Sequence, residues 1–239
     1  GFVVTGVIAF IAMREVAPER PQLGDVRGAL FKQVRDGFAA ARDTPMVRMI
    51  CLLTFLGSFA MMPVNMTWPP RLQELSGESY WLIGWIWAVV SLAGAVGSAL
   101  TTRLLRITSR EQLLFVSQLF RGAAMALAAW ATGFYVAVLG ILLAEFALSM
   151  GQPAVEGWIN EHIESQRRAT VLSVWSMSFT FGGALGCLSL GLVANATSIQ
   201  TTWFVSAAIF AIAAPGYLRL RKLAGEDESA QLGRGNSSS

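Results

Sequence analysis

Apolar stretches of roughly 20 residues recur six times between residues 45 and 220, separated by short clusters of charge. About 20 apolar residues is the length a helix needs to cross a hydrocarbon core. A lipid-exposed segment must also satisfy every backbone N–H and C=O within itself, which in a single apolar run only a helix does. The expected spans lie near 45–68, 79–103, 111–132, 134–157, 169–194 and 202–220. The fold class that follows is all-α, a polytopic membrane helix bundle with six complete transmembrane helices. Composition agrees, because only 14% of the 239 residues are charged and 54% are hydrophobic, whereas a soluble domain needs about a quarter charged residues to solvate its surface.

The flanks read differently. Residues 1–13, GFVVTGVIAFIAM, are apolar but too short to span, and they lack the basic leader of a signal peptide. They read as the end of a truncated transmembrane helix, so the chain is expected to be a fragment. Residues 14–44 read as a cytoplasmic linker in which Pro18 and Pro21 break the first part. Val26, Leu30, Val34, Phe38 and Ala41 then recur at helical spacing between Arg27, Lys32, Arg35, Asp36, Arg42 and Asp43. That pattern suits an amphipathic helix in the membrane interface, with a soluble connector helix as the alternative. Residues 45–220 form the six-helix bundle, and the polar, Gly- and Ser-containing segment 221–239 is expected to be a disordered cytoplasmic tail.

The distribution of basic residues predicts orientation. Arg103, Arg106 and Arg110, then Arg167 and Arg168, then Arg219, Arg221 and Lys222 fall on one side with the basic linker, while the opposite loops hold only Arg71. Cytoplasmic loops carry the excess of Lys and Arg, so the basic side is predicted to be cytoplasmic. Trp68, Tyr80, Trp81, Tyr135 and Trp203 lie near the outer ends, where an aromatic belt is expected. The net charge of +3 and pI of 9.2 do not indicate nucleic acid, since the basic residues are spread over separate loops instead of forming one face.

No nucleophile elbow, phosphate loop or metal-ligand spacing is present. His162 stands beside Glu161 and Glu164 without a second helical ligand, and Cys51 and Cys187 fall inside apolar spans. No cofactor, metal or catalysed covalent reaction is expected. Ionisable groups within spans are the informative feature, because each is costly at mid-bilayer unless paired or facing water. Arg121 lies about ten residues into its span and Glu145 about eleven into the next, so at about 1.5 Å per residue both sit roughly 15 Å deep. A short connection makes these helices antiparallel neighbours. The pair is therefore expected either to lock the helix hairpin as a buried ion pair or to serve transport.

Glu145, Ser149, Gln152 and Glu156 follow at i, i+4, i+7 and i+11 and share one helix face, with Pro153 able to bend it. A polar stripe on a spanning helix faces a cavity or a protein neighbour. Thr54, Ser58 and Asn65 share a face of the first span, near Pro63. Ser91, Ala95, Ser98 and Thr102 do so in the second, beside Gly94 and Gly97, and Ser173, Ser176, Thr180 and the run GGALG (182–186) in the fifth. These weaker stripes suit close packing through small residues, and Trp87 and Trp175 suit packing more than a cavity.

Two segments carry a family resemblance. INEHIESQRRATVLSVWSM (159–177) resembles the loop and helix start of bacterial drug-efflux-like members of the major facilitator superfamily, with Asn160, Arg168, Ala169 and Thr170 at the motif positions. GSALTTRLLRITSREQL (97–113) is similar to a weakened second copy of that family's loop motif, without its acidic residue. The resemblance implies the carboxy-terminal half of a carrier of two six-helix bundles working by alternating access, with the helix bearing Glu145 along the central cavity. The partners would be the lipid bilayer, a small-molecule substrate and the missing amino-terminal half of the same transporter. It further implies export of amphipathic or drug-like molecules across a bacterial inner membrane, with proton coupling left open. An uptake carrier for a small metabolite, or a membrane-embedded enzyme or receptor-like subunit, are the alternatives.

Overall fold

A computed structural model describes residues 45–77, 80–162 and 165–235. The expected truncated helix over 1–13 and the linker over 14–44 lie outside the described residues. Six helices follow in order: α1 (Pro45–Ser76), α2 (Tyr80–Leu104), α3 (Arg110–Trp130), α4 (Phe134–His162), α5 (Ser165–Ala196) and α6 (Ile199–Gly235). Each is long and apolar enough to cross a membrane, and no strand occurs among the described residues. Even α3, with 21 residues, would extend about 32 Å, enough for a hydrocarbon core of about 30 Å.

The helix ends have local causes. Ser109 caps α3 with a capping box, in which its Oγ accepts from the Gln112 N–H at 3.3 Å and the Gln112 side chain returns to the Ser109 N–H. Gly77, with φ of 71°, takes the left-handed turn that closes α1. Two ends differ from the sequence expectation. The helix α1 runs past Pro69 and Pro70 to Ser76, because the carbonyls those prolines leave without donors belong to Asn65 and Met66, both exposed. The backbone of α6 continues to Gly235, so a helix occupies most of the segment expected to be disordered. Its run RKLAGEDESAQL is dominated by good helix formers.

Packing follows a repeat of three helices. The neighbours α1 and α5, and α1 and α6, are matched by α4 and α2, and by α4 and α3, while α3 and α6 pack on each other. Advancing every index by three exchanges these contacts. Because α4 runs opposite to α1, the two triplets are inverted repeats. One apolar cluster gathers around Trp68, Met125, Trp203 and Phe210, and a second around Trp158, Ile159, Tyr217 and Leu220. The peripheral helices α2 and α5 leave large apolar side chains uncovered, with Trp85, Leu188 and Leu192 each more than 60% exposed. Such a surface is compatible with lipid or a protein neighbour and not with water.

The seams between helices use glycine and backbone-directed hydroxyls. In α2, Gly97 meets the Phe146 carbonyl, and a Cβ at Gly94 would stand 2.9 Å from Ser149 Oγ. In α5, Gly182 and Gly186 meet the carbonyls of Phe55 and Phe59. Pro63 leaves the Phe59 carbonyl without its usual i+4 donor, which makes a close Cα approach there favourable. Thr101 Oγ1 donates to the Met150 carbonyl at 2.8 Å and Ser206 Oγ to the Ala60 carbonyl at 2.8 Å. Close packing therefore belongs to the glycines, whereas Ser91, Ala95, Ser98, Thr102, Ser173, Ser176 and Thr180 are exposed.

Candidate functional site

A cavity of about 290 Å³ opens among α1, α3, α4, α5 and α6. Its wall mixes apolar side chains, including Met61, Met62, Leu148 and Phe179, with the polar groups of Asn65, Gln118, Arg121, Gln152 and Tyr217. Among the described residues, no Asp or Glu lies in the wall. The helix α5 is held at this wall by Trp175, whose Nε1 donates to Thr54 Oγ1 at 2.7 Å, and by Ser58, whose Oγ donates to the Phe179 carbonyl at 2.5 Å. Both α1 residues lie on the face that Thr54, Ser58 and Asn65 share.

Arg121 is the charged group of this wall. It is 4% exposed, and its guanidinium carbon lies 4.2 Å from the centroid of the Phe210 ring. The ring face stabilises the cation by about 2 kcal/mol when both are desolvated. Its Nε and Nη2 have no hydrogen-bond partner. One turn earlier on α3, Gln118 Nε2 donates to the Tyr217 hydroxyl of α6 at 3.3 Å. An arginine at mid-helix in a membrane costs at least about 2.5–3.5 kcal/mol, more than a single cation–π contact returns.

Glu145 lies elsewhere. It is half-buried in α4 and borders a smaller space of about 20 Å³ with Met61, Asn65, Trp68, Trp87 and Met125. Trp68 and Trp87 stack there with centroids 5.6 Å apart and an interplanar angle of 1°. Glu145 and Ser149 both face Gly94 of α2, where an added Cβ would stand 3.8 Å from Glu145 Cγ. No ion pair joins Arg121 and Glu145, although the two charges act on each other through space. Asn65 and Met61 border both spaces.

The polar stripe of α4 is therefore divided. Gln152 lines the larger cavity, Ser149 faces Gly94 of α2, Glu145 borders the smaller space and Glu156 is exposed. The cause is the seam with α2, which engages the Phe146 carbonyl, Ser149 and the Met150 carbonyl and so turns Leu148, Gly151 and Val155 toward the cavity. At the loop motif, Asn160 is exposed in the last turn of α4. Arg168, Ala169 and Thr170 belong to the first turns of α5, and their side chains, like that of His162, lie outside the described residues.

Sequence reasoning passed over Gln118 and Tyr217 and assigned Trp175 and Trp87 to packing, whereas both tryptophans border the cavities. A signal for Gln118 was present, since Ser117, Gln118 and Arg121 cluster on one face of α3. Among the described residues no group of three or more His, Cys, Asp or Glu is placed to hold a metal ion.

Inverted triplets of helices long enough to span a membrane, around a cavity with polar groups in its wall, define a polytopic helical carrier fold. The sequence pattern described as the Major Facilitator Superfamily matches residues 50–236, and the chain belongs to that family. It is thus a multi-pass membrane protein of a transporter family. A comparison with curated proteins returned no match.

Proposed function

We propose that the chain forms the carboxy-terminal bundle of a secondary active transporter that exports amphipathic or drug-like small molecules by alternating access from a bacterial inner membrane. The observation that carries this reading is the wall of the 290 Å³ cavity, where methionine and aromatic surfaces alternate with amides, a phenol and a guanidinium. Such a wall fits a molecule with an apolar body and a polar end, because flexible thioethers adapt to varied shapes while a few polar groups set orientation. Glu145, which borders the smaller space and makes no ion pair with Arg121, is the coupling acid of this proposal. Reconstitution tests it. Vesicles holding the full-length carrier should show saturable, proton-gradient-dependent movement of an amphipathic dye, and vesicles holding this chain alone should show none, since the family's site lies between two bundles. Absence of saturable movement in the full-length carrier would remove the reading.

A further inference from the structure

We propose that the cavity selects amphipathic anions, with the acidic group of the substrate paired to the guanidinium of Arg121. This rests on the transporter reading above and names the substrate class of that site. Four observations converge on it. Arg121 lines the cavity, and its Nε and Nη2, buried without accessible surface, have no protein partner, so no hydrogen bond on that edge offsets the charge. The opposite charge that the sequence offers, Glu145, acts on Arg121 through space and makes no ion pair with it. Among the described residues, the cavity wall includes this one cation and no carboxylate, so their field attracts negative charge. Tyr217 accepts from Gln118, which leaves its own O–H proton available to a second acceptor at the same wall.

The position of the cation is fixed. Phe210 stacks against the guanidinium, and an added Cβ at Gly122, the next residue, would stand 3.0 Å from the Ala207 carbonyl of α6. The side chain is thus wedged between α3 and α6, with little freedom to seek another partner. The apolar remainder of the ligand meets Met61, Met62, Phe179 and Trp175. The expected ligand is a carboxylate, sulfonate or phosphate ester on a compact apolar body.

A matched probe set tests this in the full-length carrier, held in nanodiscs of phosphatidylcholine so that the lipid carries no net charge. The probes are radiolabelled 2-naphthoate and, as competitors, its neutral amide and 2-naphthylmethylammonium. The wild type should bind naphthoate about tenfold to hundredfold more tightly than the amide, the difference a charge-assisted hydrogen bond makes. Arg121→Gln should lose that preference while keeping amide binding, and Arg121→Lys should retain part of it, because the charge remains but the planar guanidinium does not. The assignment is overturned if the wild type does not prefer naphthoate, or if Arg121→Gln keeps the preference. Should Arg121→Gln fail to fold, the wild-type comparison and Arg121→Lys still decide. Saturable dye transport without anion preference would remove this assignment and leave the transporter reading in place.

Discussion

Gly97 in α2 lies against the carbonyl oxygen of Phe146 in α4 so closely that no Cβ fits between them. The inverted repeat places Gly182 of α5 against the Phe55 carbonyl of α1 in the same manner. Gly97→Ala and Gly182→Ala should each destabilise the protein by about 1–3 kcal/mol, because the neighbour that must move is backbone. Gly191→Ala, where nothing approaches within 4 Å, should be neutral or stabilise by up to about 1 kcal/mol. Thermal unfolding in detergent measures all three. Equal melting temperatures would show that the seams are looser than described.

The hydroxyls of Thr101 and Ser206 bridge helices by donating to the Met150 and Ala60 carbonyls, and both residues are buried. Interhelical hydrogen bonds in membrane proteins average about 0.6 kcal/mol and reach about 1.7. Thr101→Val and Ser206→Ala should therefore fall within that range, and they should add, since the two bonds lie in different seams. Unfolding in graded denaturing detergent measures the effects. Strong non-additivity would mean that the seams share a partner.

Arg71 ties together three elements at one end of the bundle. Its Nη1 contacts Glu74 Oε2 at 2.7 Å, its Nη2 donates to the Ala131 carbonyl at 3.4 Å, and the Gln200 amide, oriented with its oxygen inward, accepts from Nη2 at 2.6 Å. Glu74 is 66% exposed at its side chain, so Glu74→Gln should cost no more than about 1 kcal/mol. Arg71→Ala leaves buried acceptors unpaired and should cost about 1–3 kcal/mol, with Arg71→Lys recovering little because the fork is lost. Comparing melting temperatures decides it. A larger loss from Glu74→Gln would reverse the assignment.

The arginine asymmetry predicts that the loop after α2 is cytoplasmic and the α3–α4 turn is outside. With Cys51 and Cys187 replaced, a cysteine introduced by Arg106→Cys should react with an impermeant maleimide only from the inside, and one introduced by Gly133→Cys only from the outside. The reverse pattern would invert the bundle.

The six spans were legible because apolar runs of this length have few alternatives, and the glycines that close the seams were legible as small residues on spanning helices. The end of α1 was not, since Pro69 and Pro70 read as breakers and their freed carbonyls find an open face only in the assembled bundle. The depth of Arg121 and Glu145 could be counted from the loops. Their separation could not, because rotation of α4 about its axis is set by Gly94, Gly97 and Thr101 on a third helix. Equal depth on neighbouring helices is a necessary condition for an ion pair and not a sufficient one.

That separation gives Glu145→Gln a distinct expectation. Breaking a buried ion pair costs about 3–5 kcal/mol, because one charge is left without compensation. Here Arg121 keeps its stack on Phe210 whichever residue stands at 145, and the change removes a through-space attraction but breaks no direct ion pair. The variant should therefore express and melt like the wild type, within about 1 kcal/mol. In the full-length carrier the same change should abolish the dependence of flux on pH, since an amide cannot take up and release a proton. Arg121→Gln should behave oppositely, retaining the pH dependence while losing affinity for anionic probes. Folded yield, melting temperature and the pH dependence of flux for both variants separate the roles. Loss of folded protein in Glu145→Gln would show that the carboxylate locks the bundle. Normal folding with an unchanged pH profile would place the coupling acid elsewhere in the carrier.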